Sequence, residues 1–144
     1  MSQIQNDPLA SIAAARRLHD AGLRWHPSDG DRFHIPDRGF GDQVWTVSEM
    51  VIEARSNILG QRELAFNGTV EWALDSIVKD EVVWVPTEGQ LRELLAEEFI
   101  ALFREDDGRH ACVARVEDKP TTFTGATASD AYAAALLALL IERA

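Results

Sequence analysis

The residue types best suited to chemistry are concentrated in one segment, residues 26–37. His26 and His34 stand at either end of a short stretch that also contains Asp29 and Asp31. Imidazole and carboxylate groups are common ligands of zinc and other divalent metals. The spacing matches no established metal motif, and the two aspartates are equally typical of a turn in which carboxylates accept from backbone N–H groups. The segment therefore carries two hypotheses, a metal site at these four residues or a structural turn, and the lack of a motif favours the turn.

Other catalytic arrangements find little support. The acidic clusters at residues 97–98 and 105–107 supply paired carboxylates of the kind used in general acid–base catalysis, but a solvated helix end and a loop explain them fully. No serine, histidine and acidic residue fall at a known nucleophile spacing, and the phosphate-binding GxxxxGK loop is absent. We predict no catalytic residues and no cofactor, and lean against enzymatic activity.

Charge and composition exclude several classes of protein. The net charge of the 144-residue chain is −10, which disfavours nucleic-acid binding because phosphate contacts rely on Lys and Arg. The only cysteine, Cys112, lies in an apolar strand pattern and is predicted to be a buried, inert thiol. No secretory signal opens the sequence, and the apolar run at residues 131–141 is too short to span a bilayer. We predict a cytoplasmic protein without membrane contact.

Four helices are predicted from cap residues and helical spacing. The first begins at Asp7-Pro8 and ends at Gly22. The second covers residues 70–79 after the N-cap Thr69. The third begins at a capping box formed by Thr87 and Gln90, and its apolar stripe continues to residue 102.

The fourth helix, residues 128–143 after the N-cap Thr127, is apolar on nearly every side. Such a helix must be covered on most faces, either by the sheet and other helices or by a second subunit.

Trp72 lies beside the apolar face of the second helix. An exposed Trp72 would anchor an interface, whereas the alternative has its ring folded over a sheet edge and mostly buried.

Strands are predicted where β-branched and aromatic residues cluster or alternate with polar ones. Residues 23–25 and 32–35 are predicted to form a small hairpin that brings His26 near His34. A long strand at residues 44–55, with a bend at 48–49, is predicted to pair with residues 62–66 after a turn at 57–60. The remaining predicted strands are residues 82–85, buried on both faces, and a hairpin of residues 111–116 and 121–124 that turns at 118–120. The order of elements predicts a single α+β domain, residues 1–144, with a mostly antiparallel sheet of about 5–7 strands and about four helices. Two ββα halves, ending in Phe66-Asn67-Gly68 and Phe123-Thr124-Gly125, suggest an internal duplication.

Seven segments have a recognisable combination of residues: 25–27, 30–37, 47–51, 66–69, 71–77, 84–86 and 90–95. Together they resemble a group of small actinobacterial proteins that often carry the label pilus assembly protein CpaE. Full-length CpaE proteins join a receiver-like domain to a ParA/MinD-type ATPase, and this sequence lacks the lysine-containing phosphate loop of that ATPase. The resemblance therefore implies a bacterial cytoplasmic protein and transfers no catalytic residue.

The sequence leaves two functional hypotheses. The first is a non-catalytic module that acts through protein–protein contacts, with an unidentified protein partner or with a second copy in a homodimer. The second is a metal- or small-molecule-binding protein, with hydrolase activity as one form of it, that uses residues 26–37 beside Trp25.

Overall fold

The computed structural model describes residues 8–36, 39, 41–47, 50–56, 62–68, 76–78 and 81–144. Their secondary structure is, in chain order, α1 (Ile12–Asp20), β1 (Arg32–His34), β2 (Val44–Thr46), β3 (Met50–Ser56), β4 (Arg62–Gly68), β5 (Ser76–Val78), β6 (Val83–Trp84), α2 (Glu88–Leu95), β7 (Phe99–Arg104), β8 (His110–Val116), β9 (Lys119–Gly125) and α3 (Ala128–Glu142). All described strand pairs are antiparallel, which confirms the α+β class.

The chain divides into two compact units. The first, here called the terminal unit, consists of Met1–Arg24 and Pro86–Ala144, and the second, the central unit, is Trp25–Val85. The predicted single sheet is replaced, among the described residues, by three sheets of three strands each. Strand pairing across distant parts of a chain leaves little local signal, so a pattern of strands does not reveal how many sheets they form. The single-domain organisation stays a prediction.

Helix α1 begins later than its sequence predicts. Its N-cap is Ser11, whose hydroxyl accepts from the backbone N–H of Ala14 at 3.1 Å. Pro8 lies before the helix, and its carbonyl accepts from the N–H of Glu88 at 2.8 Å. The observed N-cap, Ser11, therefore lies four residues after the predicted N-cap, Asp7. Asp7 itself lies outside the described residues. The predicted end is confirmed, since Gly22 has a φ of +99° and follows the last turn.

The capping box that begins α2 is confirmed in full. The Thr87 hydroxyl accepts from the N–H of Gln90 at 3.1 Å, and the Gln90 side chain accepts from the N–H of Thr87 at 3.0 Å. The predicted continuation of this helix to residue 102 is wrong. The helix stops before Ala96, which has a φ of +50°, and a 3-10 turn, Ala96–Glu98, leads into β7.

Strands β7, β8 and β9 form a meander in the order β7-β8-β9. The β8–β9 hairpin is confirmed, but its turn lies at Glu117-Asp118, one residue earlier than predicted. These two residues have φ values of +51° and +62°, and Val116 pairs with Lys119, as in a two-residue type I′ turn. Pro120 belongs to the strand and not to the turn.

Helix α3 is the centre of the terminal unit. Its predicted N-cap is confirmed, because the Thr127 hydroxyl accepts from the N–H of Asp130 at 3.1 Å. Gly125, just before it, lets strand and helix approach closely, since a Cβ there would lie 2.6 Å from the backbone nitrogen of Ala131. Helices α1 and α2 and strands β8 and β9 all contact α3. Its own sheet and helices thus cover much of this apolar helix, and additional coverage by a second subunit stays a prediction.

One face of the β7-β8-β9 sheet carries the core. Leu102, Cys112 and Phe123 lie opposite one another across the three strands and belong to the hydrophobic cluster that includes residues of all three helices. The alternate residues Phe103 and Thr124 therefore lie on the opposite face, on either side of the small, fully buried Ala111.

The first sheet of the central unit has the order β2-β1-β6. The predicted hairpin between residues 23–25 and 32–35 is wrong, because β1 pairs with β2 and β6. The predicted long strand at residues 44–55 divides into β2 and β3, which belong to different sheets, while the bend at 48–49 lies outside the described residues. The apolar strand predicted at residues 82–85 is present in a shorter form, Val83–Trp84, and Val82, Val83 and Val85 are all buried.

The second sheet of this unit has the order β3-β4-β5 and confirms the pairing predicted for residues 62–66. Ser76–Val78 is a strand here, so the predicted helix does not extend over residues 76–78. The rest of that helix, with Thr69 and Trp72, and the turn at residues 57–60 lie outside the described residues. Of the proposed duplication, both strand pairs are present, but a helix follows only the second of them among the described residues.

Candidate functional site

The predicted metal ligands Asp31 and His34 are buried and have structural partners. The Asp31 carboxylate accepts from the indole N–H of Trp25 at 2.9 Å and from the backbone N–H of Ser28 at 3.0 Å. His34 Nδ1 donates to the carbonyl of Gln43 at 2.9 Å. These bonds close the loop between residues 25 and 31 and join β1 to the start of β2. The turn hypothesis describes what these side chains do in the structure.

The other two predicted ligands, His26 and Asp29, are exposed. Since residues 23–25 do not pair with β1, no hairpin brings His26 to His34. Over the described part of the chain, no group of three or more His, Cys, Asp or Glu side chains is placed to hold a metal ion. The metal site stays a prediction that elemental analysis of the purified protein can test, and the structure adds no support to it.

The surroundings of Trp25 explain why polar residues are concentrated in this segment. Its ring packs against Phe33 with centroids 5.5 Å apart, while its N–H is bonded to Asp31. A buried indole needs an acceptor for its N–H, and a carboxylate six residues away supplies one. The density of polar residues here reflects the hydrogen bonding of a buried tryptophan, which sequence spacing alone does not distinguish from ligand binding.

Cys112 is fully buried in β8, as predicted, and is a free thiol. Burial raises its pKa to about 11, only partly offset by the positive charge of Arg92. A thiol with so high a pKa carries almost no thiolate at neutral pH and is a poor nucleophile.

A cleft of about 430 Å³ lies between α1 and α3 in the terminal unit. Five alanines contribute to its wall, and Arg17 and Asp130 provide its charged groups. Asp130 already accepts from the backbone N–H of Ser11 at 3.4 Å and lies in the first turn of α3. Small residues here let the two helices approach, and no buried polar group of the lining points to a ligand.

The surface most suited to a binding function is the outer edge of β7. Within residues 8–24 and 86–144, β8 is the only strand that pairs with β7. Ile100 and Phe103 on this strand are 41% and 47% exposed. Two of the four large hydrophobic side chains found exposed in the described residues thus lie on one edge strand, with Leu94 and Ile141 as the others.

Sequence analysis missed this edge because β7 was assigned to a helix. Phe99 and Leu102 continue the three- and four-residue spacing of Leu91 and Leu95, so the helical pattern extends across the true boundary. The aromatic and β-branched content of residues 99–103 was the signal that could have marked a strand.

The chain matches no family model, no curated protein and no solved structure. In the part of the chain that the structure describes, no helix has the length and apolarity needed to cross a membrane.

Proposed function

We propose that this protein is a non-catalytic module that acts through protein–protein contacts, and that β7 is the contact element. The observation that carries the proposal is the open edge of β7 with Ile100 and Phe103 exposed upon it. The open side of an edge strand offers a row of backbone donors and acceptors, and exposed apolar side chains add burial energy on association. Proteins usually protect such edges, so one that is left apolar is a candidate interface.

The chemistry of the described side chains supports a binding role over catalysis. Asp31 and His34 stabilise a loop, and Cys112 is buried with a raised pKa. Over the described residues, no group of three or more His, Cys, Asp or Glu side chains is placed to hold a metal ion, and the cleft between α1 and α3 has only Arg17 and Asp130 as charged groups. The resemblance to small actinobacterial proteins is consistent with this role in a bacterial cytoplasm, which cell fractionation would test.

Photo-crosslinking tests the contact element directly. A benzophenone amino acid is placed at Phe103 in one variant and at Thr122, an exposed position on β9, in a matched control. Position 103 is expected to form an adduct with a defined protein partner, and position 122 is not. Binding of that partner, once purified, is then measured by calorimetry and should be lost in Phe103→Lys.

The proposal fails if neither position forms an adduct, or if both form the same adducts with equal yield. It also fails if the purified partner binds Phe103→Lys as tightly as the wild-type protein while the two proteins have the same melting temperature.

A further inference from the structure

The residues that flank β7 are acidic, whereas the strand itself is mostly apolar. The apolar strand is preceded directly by Glu97 and Glu98 and followed directly by the acidic residues 105–107. All of these side chains are exposed except that of Glu98, which is half-buried. The edge is therefore an apolar segment with carboxylates at both ends.

The nearby arginines offset these carboxylates only in part. Arg109 is directed towards β9, where its guanidinium donates to Thr124 Oγ1 at 3.5 Å. Arg115 donates to the backbone carbonyl of Glu97 at 3.4 Å, and Arg92 lies over the ring of Phe99 at 3.5 Å. Arg104, at the end of β7, approaches the loop at Gly108. Between residues 97 and 109, five carboxylates stand against two arginines, Arg104 and Arg109. Counting Arg92 and Arg115 as well still leaves an excess of one carboxylate, so the edge has a net negative charge.

This charge pattern disfavours a second copy of the chain at the same edge. Antiparallel pairing of two β7 strands would bring residues 105–107 of one copy beside Glu97 and Glu98 of the other. Parallel pairing would bring each acidic end beside its own counterpart. Like charges that face each other across paired strands are destabilising, so both directions of self-pairing carry a penalty.

We propose that the partner segment of β7 is an extended strand of another protein, apolar or β-branched in its middle and basic at both ends. It adds antiparallel or parallel to the outer edge of β7, its backbone forms hydrogen bonds with the unpaired side of the strand, and its Lys or Arg residues lie beside the two acidic clusters. This proposal rests on the function proposed above and names the chemistry of the partner for the same edge.

Three labelled peptides test the proposal by fluorescence polarisation. Each has a six-residue middle of alternating valine and threonine, with two lysines, two serines or two glutamates at either end. At low ionic strength the lysine-ended peptide is expected to bind about tenfold more tightly than the serine-ended one, from a few exposed ion pairs. The glutamate-ended peptide should bind more weakly still, and added salt should remove most of the difference.

Charge reversal on the protein supplies the matched control. Glu97→Lys with Glu98→Lys should reduce the preference for the lysine-ended over the glutamate-ended peptide severalfold, because only residues 105–107 then remain acidic. Asp20→Lys with Asp42→Lys makes the same change in net charge at exposed positions outside β7 and its flanks and should reduce the preference much less. An equal reduction in the two variants would overturn the proposal, because attraction would then come from net charge alone.

The outcomes separate this proposal from the function on which it rests. If all three peptides bind equally and Phe103→Lys abolishes their binding, β7 is a contact edge but the basic partner is wrong. If light scattering shows a dimer that Phe103→Lys dissociates, the partner is a second copy and the basic partner is again wrong. If no peptide binds and the protein is a monomer with no crosslinked partner, both proposals are overturned.

Discussion

The two edges of one sheet, β7 and β9, are built very differently. Both are antiparallel to β8 and both have one neighbour within the terminal unit. Strand β9 begins with Lys119 and Pro120, which block pairing by charge and by the missing N–H of proline. Strand β7 instead presents Ile100 and Phe103 to solvent. The contrast supports the proposal that β7, and not β9, is the contact edge.

The far end of β9 is also committed to the fold. Gly125 approaches the first turn of α3 so closely that no larger residue fits, and Thr127 caps that helix. Strand β7 ends in the charged loop at residues 105–108, which leads to β8 and not to a helix. Strand β9 thus has both a protected edge and an end that packs against α3. Strand β7 has exposed apolar side chains and a charged loop at its end.

Strand β8, between the two edges, gives the reference for a fully buried position. The thiol of Cys112 is expected to react with an alkylating reagent at pH 7 about a hundredfold more slowly in the folded protein than in urea, from its raised pKa alone. If the native protein reacted at the rate of the unfolded protein, Cys112 would be accessible to the reagent. Strand β8 could then not serve as the buried reference for the two edges.

The same thiol predicts a pH dependence of stability. Because its pKa rises from 9.0 to about 11 on folding, the unfolded chain loses this proton first as the pH rises. The contribution is fully present below about pH 9 and is lost between about pH 9 and 11. The urea midpoint of the wild type should therefore fall relative to that of Cys112→Val as the pH increases across this range, and parallel curves would contradict the assignment.

A substitution at Gly125, at the end of β9, should have the largest effect on the free energy of unfolding. Gly125→Ala places a Cβ against the backbone of Ala131 and Asp130, and we expect a loss of about 2–3 kcal/mol. Gly89→Ala is the matched control, because a Cβ there meets nothing closer than 4.0 Å in a helix. The control is expected to be neutral or stabilising by up to about 1 kcal/mol, and equal losses in the two variants would remove the argument from close packing.

The turn that joins β8 to β9 should be improvable. Asp118 has a φ of +62°, where a residue with a side chain is strained, so Asp118→Gly is expected to stabilise the protein by about 0.5–1 kcal/mol. Thermal melts of this variant beside Lys119→Gly, a strand position that should lose stability, make the comparison. Destabilisation by Asp118→Gly would mean that the turn is not of the type I′ form.

Changes on the open edge should have the smallest effect on stability. Phe103→Lys replaces a half-exposed side chain on the face without helices, and we expect a change within about 0.5 kcal/mol. Thr122→Lys on β9 is the corresponding control and should be similar. A loss above about 2 kcal/mol in Phe103→Lys alone would assign Phe103 to the core and exclude it as a contact residue.

Local chemistry was readable from the sequence where one or two neighbouring residues decide the structure. The capping box at Thr87 and Gln90 and the cap at Thr127 were predicted to the residue, because the donors and acceptors lie three positions apart. The burial of Cys112 followed equally from its apolar neighbours.

Predictions that depended on distant pairing or on a switch in period were less successful. The pairing of β1 with β2 and β6 brings together residues up to about fifty positions apart, and nothing near Arg32 specifies it. The change from helix to strand before Phe99 keeps the same apolar spacing, so the open edge of β7 was hidden. The metal hypothesis counted Asp31 and His34 as free ligands because the partners Trp25 and Gln43 become evident only in three dimensions.

Hydrogen–deuterium exchange with the lysine-ended peptide tests the claim about β7 most directly. The account predicts slower amide exchange in residues 99–104 when the peptide is present, with no change in residues 119–125. Protection of β9, or no protection of β7 at saturating peptide, would contradict it.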